Sequence, residues 1–278
     1  MSERLVHKLG RAATRVLLAP SVRRFALARR LYLHLYLLGK TLAEPRERRF
    51  FQEHVQPGMV VLDIGANVGF YSLLLGDLVG PAGRVYAFEP DPLSFGLLAP
   101  RAEASRHGNV SAAQVALGDR EGRLTLYCSR TNRADNRVHA SHETPVEEVE
   151  VTLTTLDAFL TGKGVERIDA VKMDVQGAEV AVLAGARETL RRTRPLWMLI
   201  ELSPDHLRGA GSSPEAFWEI LEDLGYEPWG LDGADGQPFL IADRAAFAQD
   251  LGAGYTDVWA KRRSRVASRP LRAASRRP

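Results

Sequence analysis

The sequence predicts an α/β fold, one mostly parallel sheet with helices packed on both faces. From Val60 onward, short apolar runs of strand length alternate with stretches of helical periodicity, which is the sequence form of repeated strand–helix units. The first of these runs, VVLDIG, passes through a glycine-rich turn straight into a helical pattern. Open sheets of this kind hold ligands at the carboxyl ends of their strands.

In chain order, strands are expected at VVLDIG (60–65), RVYAFE (84–89), VSAAQVAL (110–117), AVKMDV (170–175), LWMLIEL (196–202), YEPWGL (226–231) and YTDVWAKR (255–262). β-Branched and aromatic residues bounded by turn formers mark most of them. Helices are expected over 69–79, 91–106, 155–161, 177–193 and 214–224, the last with Pro214 in its first turn and Gly225 as its stop. Between the third and fourth strands, RLTLYCS and EVEVTLTTL alternate with period two, which predicts an antiparallel excursion. The stretch joining them, SRTNRADNRVHASHETP, is polar and turn-rich, a long loop of the kind that carries function.

The charge is unevenly placed. Residues 1–50 hold 12 Lys/Arg against 3 Asp/Glu, residues 51–260 hold 17 against 31, and residues 261–278 hold 8 against none. Three regions follow: a basic, mostly helical N-terminal extension (1–50), a folded domain (51–262), and a basic tail (263–278) whose composition supplies no core. The two basic ends suit peripheral contact with an anionic membrane surface. The apolar stretch ALARRLYLHLYLLG is interrupted by Arg29, Arg30 and His34 and is too short to span a bilayer, so it reads as an amphipathic helix. The early run RVLLAP is too short for a signal peptide, and the lone Cys128 can form no internal disulfide, so a cytoplasmic location is expected. An acidic body offers no groove for nucleic acid, and none is expected as a partner.

The segment PGMVVLDIGANVGFYS narrows the chemistry. Gly65 lets the chain leave the strand sharply, and Gly69 allows close approach of the helix or of a ligand. A dinucleotide enzyme would need a second glycine where Asn67 stands, and the carboxylate of Asp63 suits the cationic end of a ligand better than a pyrophosphate. Glu89 ends the second strand about 20 residues after Gly69, the position from which an acid accepts hydrogen bonds from ribose hydroxyls. A nucleoside ligand is expected.

The segments DIGANVGFYS, FEPDP, VALGDREG, TLDAF, VKMDVQGAEVAVLAGA and LIE occur in the order found in the FkbM family of methyltransferases, which the chain resembles from about Pro57 to Glu201. The resemblance implies a Rossmann-like class I methyltransferase fold of seven strands in the order 3-2-1-4-5-7-6, strand seven antiparallel, with S-adenosylmethionine over strands one to four. It implies, together with position, that Asp63, Gly65, Asn67, Gly69, Tyr71 and Ser72 line the methionine part of the cofactor, that Glu89 holds the ribose, and that Leu117 and Asp119 meet the adenine. Gln176 and Met173 depart from the commoner family form, with Glu and Ile at those places.

Methyl transfer asks mainly for alignment and exclusion of water, and a hydroxyl acceptor must also lose its proton. Asp174 is the first candidate to take it, because it ends a central strand; Glu179 and Glu201 are the others, with loop residues His139 and His142 behind them. Lys172 shares a strand face with Asp174, so a purely structural ion pair is the competing role. No metal site is expected, although Asp174 and Glu201 end adjacent strands and a divalent ion is the weaker alternative. The expected reaction is O-methylation of a sugar, glycan or secondary-metabolite hydroxyl; N- or C-methylation of a small molecule and non-catalytic binding of the cofactor are the alternatives.

Overall fold

The structure is a computed structural model and describes residues 26–129, 136–138, 146–231 and 237–263. In chain order it contains α1 (Ala26–Ala43), α2 (Pro45–His54), β1 (Val60–Ile64), α3 (Phe70–Val79), β2 (Arg84–Phe88), α4 (Pro92–Glu103), β3 (Val110–Ala113), β4 (Ala116–Leu117), β5 (Gly122–Ser129) and β6 (Val146–Thr154). It continues with α5 (Leu156–Thr161), β7 (Ala170–Met173), α6 (Glu179–Ala184), α7 (Arg187–Thr193), β8 (Trp197–Leu202), α8 (Pro204–Gly209), α9 (Pro214–Asp223), β9 (Tyr226–Gly230), β10 (Phe239–Leu240), α10 (Arg244–Leu251) and β11 (Thr256–Arg262).

The main sheet runs β10-β9-β11-β8-β7-β1-β2-β3. Strand β11 is antiparallel to both neighbours, while β1, β2, β3, β7 and β8 pair in parallel. Without β10 this is the strand order that the family resemblance implies. The expected seven strands become eight because the two residues of β10 pair with Trp229 and Gly230 at the edge. Central strands are buried on both faces: Val61, Leu62, Val85, Ala87 and Ala170 have no exposed surface.

Three boundaries differ from the sequence reading. The expected third strand, 110–117, breaks after Ala113, and Ala116–Leu117 turn away to pair with β6 in a separate three-stranded sheet. The antiparallel excursion is the rest of that sheet, β5 against β6. The expected helix over 177–193 is two helices, because the chain between them passes so close to the β4 turn that a Cβ on Gly185 would lie 1.9 Å from the carbonyl oxygen of Gly118. The boundary expected at residue 50 falls inside α2, whose Phe50 and Phe51 are buried against Trp197, with Trp259 also edge-on to Phe50.

Helix α7 has no capping side chain of its own, since Ala186 stands at its N-cap. Asp157 caps it from α5, accepting from the amides of Glu188 at 3.1 Å and Thr189 at 2.7 Å, while its own amide donates to Gly185 at 3.0 Å. Replacement Asp157→Ala should lower the unfolding free energy by about 1 to 2 kcal/mol in urea denaturation. Ligand affinity of the folded fraction should not change.

Candidate active site

The cleft lies over the carboxyl ends of β1, β2 and β7 and encloses about 870 Å³ of empty space, its open mouth included. Its floor is the turn after β1. Gly65, Asn67 and Gly69 all have left-handed backbones, with φ of 82°, 50° and 82°. Only glycine fits at 65, where a Cβ would lie 1.8 Å from the carbonyl oxygen of Asp174. At 69 the added carbon would strike Leu98 of α4, so this glycine lets that helix pack close to the turn. Arg101 of the same helix donates to the carbonyl of Val68 and steadies the turn.

Beneath the turn lies a buried charge cluster. Asp63 and Lys172 are paired in register on β1 and β7, and of the two only Lys172 lines the cleft. The ammonium of Lys172 stands 3.4 Å from the carbonyl of Gly65, 3.6 Å from Asp63 and 3.8 Å from Asp174. Burial works against its charge, but Asp63 and Asp174 outweigh it and hold Lys172 above the ordinary lysine value. Ser72 donates to Asp63 at 2.6 Å from the first turn of α3. Asp63 and Ser72, expected to touch the ligand, therefore stand behind the wall of the cleft and hold Lys172 and the helix in place.

Glu89 follows β2 and lines the cleft. Its oxygens accept from the amides of Asn67 at 2.7 Å and Asp91 at 2.8 Å, which aims the carboxyl across the turn. Burial, with Asp91 nearby, raises its pKa to about 8 despite those bonds. Beyond it Phe88, Val115, Leu117, Leu124 and Leu126 form an apolar chamber that suits a flat base. Leu117 thus reaches the cleft. Asp119 does not: β4 ends at Leu117, the chain turns to solvent, and Asp119 pairs with Arg120 at 3.0 Å.

On the β7, β8 and β11 side of β1 the structure gathers carboxyl groups from three strands. Asp174, just past β7, lines the cleft. Gln176, held in a left-handed conformation at φ 53°, donates its amide to Asp174 at 2.6 Å and to Glu201 of β8 at 2.8 Å. Asp257 pairs in register with Glu201. Burial pushes Glu201 well up, with Asp174 and Asp257 adding to it, and pushes Asp257 up to about 7. Glu179 is not part of this group: its carboxylate accepts from the amides of Val175 at 3.2 Å and Gly177 at 3.0 Å, bracing the loop after β7, and burial raises it to about 7. The amide of Gln176 occupies the position between Asp174 and Glu201 that the metal alternative required. Among the described residues no group of three or more His, Cys, Asp or Glu is arranged to hold a metal ion. His139 and His142 lie outside the described residues.

Four participants were not anticipated. Tyr36 and Lys40 of α1 line the cleft, and Lys40 pairs with Glu44 at 2.6 Å. Glu44 also accepts from the hydroxyl of Tyr71 at 2.7 Å. Asp257 lies on YTDVWAKR, whose antiparallel direction is implied by the family resemblance and not by its own residue pattern. An antiparallel strand brings its first residues, not its last, to the carboxyl edge, and the strand order alone contained that signal.

The residues present fit S-adenosylmethionine. Glu89 is placed for hydroxyls and the apolar chamber for adenine, in one cleft with the Gly65 turn. Residues 63–228 match the family model described as the methyltransferase FkbM domain. The chain is 31% identical over 201 residues to the 2-O-methyltransferase NoeI of Sinorhizobium fredii, covering 64% of this chain and 78% of that protein. It is 30% identical over 165 residues to the 31-O-demethyl-FK506 methyltransferase FkbM of Streptomyces tacrolimicus, covering 48% and 62%. A crystal structure of methyltransferase FkbM from Methylobacillus flagellatus aligns with a TM-score of 0.43 and 16% identity, over 90% of this chain and 58% of that one.

The raised carboxyl groups make stability depend on pH. Between about pH 5 and their raised values, near 7 for Asp257 and Glu179 and near 8 for Glu89, they are protonated in the folded chain and ionised in the unfolded chain. The folded state then holds more protons, so stability should fall as pH rises from about 5 to 8. Thermal unfolding of the ligand-free protein across that range should show a declining Tm, with a shallower decline in Glu201→Gln.

Proposed function

The chain belongs to the FkbM methyltransferase family, and we propose that it is an S-adenosylmethionine-dependent O-methyltransferase acting on a hydroxyl of a carbohydrate or secondary-metabolite acceptor. One observation carries this reading: Asp174 lines the same cleft as Glu89, the Gly65 turn and the apolar chamber. Both relatives are named as O-methyltransferases, which supports the same choice here.

The cofactor supplies a methyl group activated on a sulfonium sulfur. The chain's own residues align the partners and handle the proton. Glu89 and the 65–67 turn fix the nucleoside and amino-acid ends, while Tyr71 and Tyr36 wall the cleft from water. Asp174 accepts the proton of the acceptor hydroxyl as its oxygen gains the methyl group. Gln176 is a positioning residue, fixing the carboxyl through the bond it shares with Glu201. Lys172 and Lys40 offset the negative charge of the cluster, and an acceptor with several hydroxyls finds both donors and acceptors there.

Incubation with methyl-labelled cofactor and hydroxyl-bearing glycans and polyketides should give a methyl ether, identified by mass spectrometry and NMR. Label found on an amine or carbon would overturn the O-methyl assignment. Glu89→Ala should weaken binding of S-adenosylhomocysteine by about 1 to 3 kcal/mol in calorimetry. Asp174→Asn should slow single-turnover transfer by roughly 10²-fold and change that affinity little. A normal rate with a lowered Tm would instead make Asp174 a structural partner of Lys172.

A further inference from the structure

Helix α1 has two faces with different surroundings. On one, Tyr32 packs with Val68 behind the cofactor turn, and Tyr36 and Lys40 wall the cleft. On the other, Leu27, Leu31, Leu35, Leu38 and Leu42 are exposed, by 39% at Leu35 and 78% at Leu27. At 3.6 residues per turn these five fall within an arc of about 80°, an apolar stripe about 22 Å long. Exposed stripes of this kind mark an interaction surface.

We propose that the outer face of α1 docks on an anionic lipid membrane, the helix lying along the surface with its leucines inserted among the acyl chains. Charge selects this occupant. The α1 segment contains Arg29, Arg30 and Lys40 and no acidic residue, and residues 1–25 add six Lys/Arg against one acid. Arg30 and His34 are exposed beside the stripe. A second copy docked stripe to stripe would bring two such basic segments together, whereas anionic headgroups neutralise them. The helix cannot cross the bilayer, since no helix among the described residues is long and apolar enough. It has instead the character of an interfacial helix, apolar on one side and basic in its flanks. The same helix thereby joins the lipid surface to the wall of the cleft.

Vesicle flotation of the full chain tests this. Binding is expected to phosphatidylcholine vesicles containing phosphatidylglycerol, and to weaken with added salt and on omission of the anionic lipid. The triple variant Leu31→Ser, Leu35→Ser, Leu38→Ser should lower partitioning at least about tenfold at fixed salt. The pair Leu27→Ser, Leu42→Ser, at the ends of the stripe, should lower it as well. Both variants should keep the wild-type circular dichroism and affinity for S-adenosylhomocysteine. Absence of wild-type binding, or equal binding by folded variants, overturns the proposal. So does a wild-type dimer that the triple variant converts to a monomer, because the stripe would then be covered by a second copy.

Discussion

The site depends on the buried ammonium of Lys172. A lysine with 9% side-chain exposure on a central strand must be paired, because removing a partner from a buried charge costs several kcal/mol. Its partners therefore fix the geometry around it. Asp63 is held by Ser72 of α3, Gly65 lends its carbonyl at the cofactor turn, and Asp174 closes the far side. One cation thus ties together the element that would cradle the donor and the residue that would face the acceptor. The close approach of Gly65 to the Asp174 carbonyl fixes the same two loops through the backbone. Side-chain electrostatics and backbone sterics set one distance twice.

The N-terminal segment is part of this arrangement. Helix α2 is fastened to the sheet by Phe50 and Phe51, and Glu44, between the first two helices, accepts from both Lys40 and Tyr71. Burial and the Glu44 carboxylate hold the Tyr71 hydroxyl far above the ordinary tyrosine value, so it remains a donor. The segment gives the cleft a wall that the strand–helix units alone do not supply.

Much of this was legible in the sequence, for identifiable reasons. The strands, the turn after β1 and the position of Glu89 are marked by local patterns, while the strand order comes from the family resemblance. Asp174 was found because strand ends are marked by where an apolar run stops. The misses are tertiary. Asp119 is a plausible adenine contact until β4 turns aside to join another sheet. Glu179 is a plausible base until its oxygens are seen on the amides of its own loop. Lys40 and Tyr36 belong to a helix whose sequence shows amphipathicity but not which face meets the cleft. Residue spacing encodes the direction of a side chain within an element, and the approach of two elements distant in the chain leaves no comparable periodicity.

Gln176 shows how narrowly the character of the cleft is set. A non-glycine residue at φ 53° is uncommon and costs about 1 kcal/mol, yet this conformation lets one neutral amide link two carboxyl groups. Glutamate, the commoner residue of the family at this place, has no such hydrogen to give while ionised. With it, three acids would converge, and their repulsion could be relieved only by a shared proton or by a captured cation. The identity of one side chain therefore decides whether the acceptor end of the cleft is a self-contained hydrogen-bonded unit or one whose charge state is set by the ions and pH of its surroundings.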